Sequence, residues 1–597
     1  MPILLTGLSR LEYRGYDSSG VALFDKDEMF ICKAAGKLEN LKAKLEDNNF
    51  YSTLGFAHTR WATHGGATET NAHPHISNHG DLVGVHNGVV ENYLTLKKKL
   101  EESGYKFYSQ TDTEVVINFI DWVREDQKLD LMSAVQVALS EIVGTCVLVL
   151  YSKSERSLMA VNKGGQLFAG INGSDCFISS DNVAFAGYAD DCFEIKDGQL
   201  WMMKDGQKPV LLNLSLETLM PLLEKINVDI LELELGNFPH FMLKEVFSQP
   251  QVVRYGLAGR VDFQKGEFCF GGLTKYWPQI KSAETLVIVA CGTSYYAGLL
   301  GKYWLEKLAG ISVRVEYASE FQSANIKSGD LVLGISQSGT TADTLSALEM
   351  SKERGAVILG ICNVVGSTMS RLTHAGIYTR AGVENGVAST KAFTAQVLAL
   401  LLLALKLSSD KKVIPEADLK EIIGQLENLP NLMEKVLETN VAIKRLAKKF
   451  KKSTNCLYLG RGYNYPIALE GALKLKELSY IHAEGMPAGE SKHGPLALID
   501  AKMPVVVIAT SGEAYGKTIS NLAEIKARGG RVIVVVTEGD EEASKLADEL
   551  IVVPMINEVL APILNVIPLQ LFAYHLALLK GCDIDHPRNL AKSVTVH

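Results

Sequence analysis

The feature that most limits how this chain can fold is a duplication in its second half. Leu286-Val287-Ile288-Val289-Ala290 leads into Cys291-Gly292-Thr293-Ser294, and Leu331 to Ile335 leads into Ser336-Gln337-Ser338-Gly339-Thr340-Thr341. The pattern recurs. Cys456-Leu457-Tyr458-Leu459 runs into Gly460-Arg461-Gly462, and Val505 to Ala509 runs into Thr510-Ser511-Gly512-Glu513-Ala514. The two Ser-Gly pairs lie 173 residues apart, and the glycines that mark matching helix ends, Gly355 and Gly529, lie 174 apart. An apolar run, a glycine turn and a helix-forming stretch are the mark of a parallel sheet covered by helices. Two similar α/β domains are therefore predicted, at 271–425 and 426–587.

The copies differ in their turns. Hydroxyls and backbone N–H groups at a strand-to-helix turn make an anion site at the helix N-terminus. The first turn has no lysine and no Walker pattern, so it suits a sugar phosphate better than a nucleoside triphosphate. Plain N-capping is the competing use of such residues. The second turn carries Glu513 where a phosphate would need hydroxyls, so one phosphate site per chain is expected, in the first copy. The second copy offers the stretch from Ala468 to Pro495 instead. Its composition and Pro466 predict a helix on which Glu470, Lys474 and Glu477, at i, i+4 and i+7, share one face. A loop from Gly485 then reaches Lys492-His493-Gly494-Pro495. Carboxylate, amine and a glycine-flanked imidazole suit proton transfer around a carbonyl. An ordinary i,i+4 ion pair and a loop histidine is the other reading.

Residues 1–215 alternate short β-rich runs with polar loops and read as an α+β domain of layered sheets, with helices at 91–103 and 113–125. His58 to Gly65 gathers two imidazoles, a guanidinium, an indole and two hydroxyls. Asn71-Ala72-His73-Pro74-His75, His86-Asn87-Gly88 and Ser109 to Glu114 follow. An arginine can grip a carboxylate, an aspartate an ammonium, and an Asn beside a Gly N–H an oxyanion. Such groups would hold an amino acid by both ends and cleave its side-chain amide. Asn87-Gly88 also fits a hairpin turn. Residues 216–236 read as a helical connector, within a linker at 216–270.

These segments carry a resemblance. Leu11 to Ser18, His58 to Gly65, His86-Asn87-Gly88 and Thr111 to Glu114 resemble the glutaminase domain of the glutamine:fructose-6-phosphate aminotransferase family, an N-terminal-nucleophile hydrolase. By that resemblance Arg60 and Asp112 hold the glutamine carboxylate and amine, and Asn87 and Gly88 form the oxyanion hole. Trp61 gates ammonia passage, and His64 and His73 belong to the same glutamine site. The 336–341 loop resembles the SQSGET phosphate loop of sugar-isomerase (SIS) domains, with Thr340 in place of the usual Glu. Its implied sugar-phosphate ligands are Thr293, Ser294, Ser336, Gln337, Ser338 and Thr341, with Val387 in a loop, 386–391, that closes over the sugar. The end of the chain, His586 to His597, resembles the family's DxPRNLAKSVTVE, with His597 replacing the last Glu. The resemblance makes 588–597 a catalytic tail in which Lys592 forms a Schiff base with open-chain fructose 6-phosphate. Glu477 then moves the proton between C1 and C2, Lys474 assists at the amine, and His493, from a neighbouring subunit, opens the ring.

The implied reaction is glutamine-dependent synthesis of glucosamine 6-phosphate by a homodimer or higher assembly, without metal or organic cofactor. The family begins with an exposed cysteine whose thiol attacks the amide while its own α-amine acts as base. Met1 aligns about a dozen residues inside that domain, and Cys32 reads as a strand thiol. A polypeptide of this sequence alone is expected to isomerise the sugar phosphate without hydrolysing glutamine. A sugar-phosphate isomerase or deaminase with an inactive amidotransferase domain, or a SIS-domain sensor, are the alternatives.

Composition sets the outer bounds. A chain of 597 residues, 47% hydrophobic and 21% charged, can build several cores. Its net charge of −8 gives no general pull toward nucleic acid or anionic membranes. No apolar run looks long enough to cross a bilayer; the longest, Ala395 to Leu407, reads as a buried helix. No signal peptide opens the sequence. The nine scattered cysteines form no CxxC or metal cluster, so a reduced, cytoplasmic enzyme is expected.

Overall fold

The computed structural model describes residues 1–25, 28–46, 50–226 and 233–593. The chain divides into two compact units, one ending at Glu234 and the other beginning at Leu235.

The first unit is built on a seven-stranded antiparallel sheet. Its central strands are Leu82–Val90, Gly144–Ser152, Ser157–Lys163 and Gln199–Lys204. Alternate residues of strand Leu82–Val90 feed two cores, as a period of two requires. Leu82 packs with Leu148, Leu150 and the helices Asp112–Gln127 and Leu131–Glu141, through Val116, Phe119 and Leu131. Val83 and Val85 face the other way, onto Phe24 and Phe56 of a three-stranded sheet and Ala169 and Phe193 of a four-stranded one. Leu8, Leu38 and Leu41, on helices Pro2–Leu11 and Leu38–Leu45, cover the far side of the three-stranded sheet. The layers run helix, sheet, sheet, helix, as the α+β reading expects.

Three helices of this unit were not legible in the sequence: Pro2–Leu11, Leu38–Leu45 and Leu131–Glu141. Each is at most three turns long, so packing against the sheets decides them more than propensity does. Over 216–226 the connector is not helical. Thr218–Leu219 extends the seven-stranded sheet and Glu224–Lys225 pairs with Asp191–Cys192. Pro221 interrupts the segment, and open sheet edges offer it partners. Residues 227–232 of that reading lie outside the described residues.

The second unit contains the duplication as two five-stranded parallel sheets. In the first, the spatial order is Ser312–Tyr317, Thr285–Ala290, Leu331–Ser336, Val357–Cys362, Ala375–Tyr378. In the second it is His482–Pro487, Asn455–Gly460, Pro504–Ala509, Arg531–Thr537, Glu549–Val553. Both follow the order 2-1-3-4-5, so the repeated sequence is a repeated topology. Residues 485–487, read as the start of a loop, belong instead to His482–Pro487, the edge strand of the second sheet beside Asn455–Gly460. The boundary drawn at 425 falls inside helix Glu416–Leu437. The linker at 216–270 contains helix Phe241–Leu257, whose Met242, Val246 and Val253 enter the unit's core.

Two helices, Lys391–Lys411 and Ala561–Lys580, are long and apolar enough to cross a membrane by length and composition. The sequence reading underestimated the first and passed over the second. In each, 89% of the apolar window is buried inside the fold, which makes them core helices here.

Candidate active site

Helix Asn464–Ser479 presents two faces. Ile467, Ala468, Ala472, Leu475 and Leu478 enter the core against helix Ala561–Lys580. Glu470, Lys474 and Glu477 form the predicted stripe, and it is not an exposed ion pair. Glu470 and Lys474 are 0% and 1% exposed, while Glu477 keeps 21% of its side chain open. Lys474 Nζ lies 2.6 Å from Glu477 Oε2 and 3.5 Å from Glu470 Oε1. Thr293, in the first turn of helix Gly292–Ala309 of the other copy, donates to Glu470 at 3.0 Å and accepts from Lys474 at 3.2 Å.

Burial pushes the Glu470 carboxyl up to about 7, with the Glu477 charge adding to the rise and Lys474 opposing it. Burial alone would lower the Lys474 ammonium; Glu470 and Glu477 outweigh it and hold the amine charged. The carboxylates of the stripe are thereby made unlike. Glu470 is the group nearest neutrality, and Glu477 is the one with solvent access.

The tail brings a second amine to the same region. Lys592 Nζ pairs with Glu384 and donates to the Gly386 carbonyl at 2.8 Å. Glu384 in turn accepts from Thr390 N–H at 2.9 Å, Ala392 N–H at 3.0 Å and Ser389 Oγ at 3.1 Å. Burial would raise its carboxyl, but Lys592 and the two backbone donors hold it below the ordinary value. Glu384 is also among the charges that raise Lys474, which ties the tail to the stripe. Sequence reasoning missed Glu384. The available signal was one acidic residue opening a run of small residues, Asn385 to Thr390.

The hydroxyl loop is folded on itself and on the tail. Ser336 Oγ accepts from Gly339 N–H at 3.0 Å and bonds Thr341 Oγ1 at 2.9 Å, so Ser336 shapes the turn from within. Gly339 sits at φ +67, the left-handed conformation this turn needs. Ser338 Oγ lies 3.1 Å from Ser593 Oγ, and Thr340 Oγ1 lies 3.2 Å from the same atom. Thr340, which stands where the usual loop has Glu, therefore touches the tail. Gln337 accepts from Asn363 N–H at 3.0 Å through its carbonyl, and Ser294 is half-buried beside Thr293. Val387 N–H is bonded to the Asp585 carbonyl at 3.0 Å. His493 is not brought to this site; it is exposed at the end of the short 3-10 turn Ala488–His493. His597 lies outside the described residues.

In the first unit, Asn87 and Gly88 lie inside strand Leu82–Val90, not in a hairpin turn. Asn87 Oδ1 is 2.8 Å from His58 Nε2. Gly88 has φ +130, and a Cβ there would run into the Thr145 carbonyl. Arg60 is buried and donates to the carbonyls of His64 and, at 3.3 Å, Gly66, fixing the loop after Trp61. Asp112 accepts from Val90 N–H at 3.0 Å and lies 3.7 Å from His64 Nδ1. Trp61 meets Tyr16 edge-on with centroids 6.0 Å apart. His58 and His73 meet tilted at 4.3 Å, and His73 and His75 meet edge-on at 5.2 Å. Burial pushes His58 down to about 4 and drives His73 well below its ordinary value, so these rings are neutral near pH 7. Cys146 is the cross-strand partner of Gly88, yet its thiol enters the helix-side core, where burial pushes it up to about 12. The Cys32 thiol is raised by burial too, within strand Glu28–Ala35.

Residues 58–186 match the glutamine amidotransferase domain family, and residues 279–406 and 449–580 match the SIS domain family. The chain is 47% identical over 599 residues to the glutamine–fructose-6-phosphate aminotransferase (isomerizing) of Bacteroides thetaiotaomicron, covering 100% of this chain and 98% of that protein. The chain belongs to the glutamine–fructose-6-phosphate aminotransferase (isomerizing) family. The aminotransferase of Chlorobaculum tepidum is 46% identical over the same shares of the two chains. Among solved structures, the C-terminal domain of the Francisella tularensis aminotransferase is 40% identical with a TM-score of 0.56. It covers 59% of this chain and 99% of its own. The aminotransferase family therefore accounts for the glutaminase-type first unit and for both sheets of the second.

Proposed function

We propose that this chain makes glucosamine 6-phosphate and glutamate from fructose 6-phosphate and glutamine. The observation that carries the reading is the meeting, in the second unit, of an amine on the tail with an amine and two unlike carboxylates on one helix. Lys592 pairs with Glu384, Thr293 joins Glu470 to Lys474, and the Glu384 charge is among those that raise Lys474.

The hydroxyl loop and the N-terminus of helix Ala342–Glu353 bind the phosphate through Ser338, Thr341 and backbone N–H groups. Glu384 and the Gly386 carbonyl orient the Lys592 amine, which as the free base adds to the C2 carbonyl and loses water to give the imine. Ammonia then adds at C2 and releases Lys592. Glu477 removes a proton from C1 and returns it at C2, converting the C2 imine and C1 alcohol into a C2 amine and C1 aldehyde. Lys474, 2.6 Å from its Oε2, orients Glu477 for that transfer. Arg60 and Asp112 hold the glutamine ends, and Asn87 with the Gly88 N–H stabilises the oxyanion of amide cleavage.

The exposed His493 supports a shared site: ring opening falls to the partner subunit's His493 in a homodimer. Mixing His493→Ala and Lys592→Ala chains is expected to restore activity, since one of the two mixed sites is intact. No recovery after proven subunit exchange would favour sites built within one chain. All nine cysteines are free, which supports a reducing, cytoplasmic setting.

The deciding test follows glutamate release, fructose 6-phosphate isomerisation and glucosamine 6-phosphate formation. It compares the 597-residue polypeptide with the same polypeptide extended by an added segment that opens with cysteine. The amino sugar is expected from the extended polypeptide. Both half-reactions running without any amino sugar would overturn the reading.

A further inference from the structure

Helix Phe241–Leu257 lies outside the residues matched by either domain family, and it carries a buried carboxylate that the proposed steps do not use. Glu245 is 3% exposed. Its Oε1 accepts from the N–H groups of Asn385 at 2.5 Å and Gly386 at 3.2 Å. Its Oε2 has no hydrogen-bond partner. A Cβ on Gly386 would come within 2.9 Å of that oxygen, so a side chain there would press on the carboxylate.

The peptide gripped by Glu245 is the one that serves Lys592. The Gly386 carbonyl accepts from Nζ, and Glu384, the residue before Asn385, pairs with the same amine. Asp585 closes the arrangement. Its carboxylate accepts from the Phe241 and Met242 N–H groups, both at 2.9 Å, at the start of the same helix. Its carbonyl accepts from Val387. One helix thus fixes both the loop that holds the amine and the root of the tail that carries it. Burial, then the Glu384 charge, pushes the Glu245 carboxyl up to about 7, with Lys592 and Lys391 opposing. A proton on the unpartnered Oε2 leaves Oε1 free to accept.

We propose that Glu245 is a positioning residue for Lys592, holding the Asn385–Gly386 backbone so that Glu384 and the Gly386 carbonyl aim the amine at the sugar carbonyl. Glu245 touches no reacting atom; it acts through the loop. The inference rests on the reading of Lys592 as the imine-forming amine.

The test uses the full polypeptide, fructose 6-phosphate isomerisation kinetics and borohydride trapping of the sugar on the protein, read by mass. Glu245→Met keeps the volume and removes the acceptor. It is expected to lower kcat about 100-fold, the scale of a 1 Å misplacement, with KM within about twofold and trapping slowed in proportion. Glu245→Gln keeps an acceptor oxygen and is expected to restore kcat to within about fivefold of the parent, given the loss set by misplacement. Parent kcat in Glu245→Met, a loss confined to KM, or Glu245→Gln as impaired as Glu245→Met would each overturn the proposal. If Glu245→Met does not fold, Gly386→Ala carries the same test by pushing the loop off Oε2, and parent kcat there is equally fatal. Lys592→Ala separates the two ideas. Trapping that survives it refutes the Lys592 reading; trapping that disappears, with Glu245→Met unimpaired, refutes only the role of Glu245.

Discussion

The two α/β copies of the second unit share a strand order and use equivalent turns in opposite ways. The first turn leaves hydroxyls at the start of helix Ala342–Glu353, bonded to one another, to backbone N–H groups of the turn itself and to Ser593. The second supplies its own anion. Glu558 accepts from the Glu513 N–H at 2.7 Å, and Lys307, from the first copy, bridges Glu513 at 2.8 Å and Glu558 at 2.9 Å. Asn464 and Asn565 both donate to Thr510 at 3.1 Å, and Ser511 N–H goes to Thr537 Oγ1 at 2.9 Å. Duplication therefore preserves the anion-binding geometry of a strand-to-helix turn, while side chains decide whether a ligand or the protein fills it. The filled turn has become a clamp between copies.

The largest effect that can break this comparison concerns the helices that follow the first strands. Glu477→Gln is expected to lower isomerisation by about 10³-fold at unchanged KM, the range for losing a positioned general base. Glu306, on the matching helix of the first copy, pairs at the surface with Lys302 at 3.7 Å. Glu306→Gln is expected to leave the rate within about twofold, as loss of an exposed i,i+4 pair does. Comparable losses in both would mean that the chemistry is spread over the two copies.

Next come the turns. Ser338→Ala with Thr341→Ala is expected to raise KM for fructose 6-phosphate by roughly tenfold or more, since a hydrogen bond to a charged group is worth about 1.5 to 3 kcal/mol. Glutamine binding should not change. Ser511→Ala in the second turn should leave KM within experimental error. An unchanged KM in the first double variant would put the phosphate elsewhere.

The same contrast explains what the sequence could and could not reveal. Both parallel sheets were legible because their strands are continuous apolar runs closed by glycine turns, a local signal. The difference between the turns was legible in Glu513, but not its partner Glu558, which arrives from 45 residues further along the chain. The Glu470/Lys474/Glu477 stripe was visible as helical spacing. Its apolar setting was visible too, in the flanking Leu473 and Leu478, but not its cross-copy partner Thr293, 177 residues earlier. Glu384 and Glu245 were missed for the same reason: each acts on backbone distant in sequence. In the first unit the motif residues stood out by composition, while the strand setting of Asn87-Gly88 did not, since the dipeptide fits a hairpin equally well.

A smaller effect should appear in stability against pH. Glu470 has a folded pKa of about 7 against an ordinary 4.5, so between those values the folded unit holds the proton more tightly than the unfolded chain. Its stabilising contribution is complete below about 4.5 and is lost as pH rises through about 7. Glu470→Gln should flatten the fall in Tm over that interval by a few degrees. Glu245 carries the same signature, so adding Glu245→Gln should flatten it further. An unchanged slope in the double variant would mean that neither carboxyl is protonated in the folded unit.

The smallest effect tests the clamp. Lys307→Met removes the cation that joins Glu513 and Glu558 across the copies. Its side chain is 47% exposed and Glu513 is 80% exposed, so solvent screens the interaction strongly. The expected loss is about 1 to 3 °C in Tm at low salt, fading in about 1 M salt as the Debye length shortens to roughly 3 Å. Isomerase kinetics should be unaffected, because Glu558 already occupies the turn's Glu513 N–H. A Lys307→Met enzyme whose KM for fructose 6-phosphate rises as far as that of Ser338→Ala with Thr341→Ala would erase the distinction between the turns. It would make the second turn part of the phosphate site.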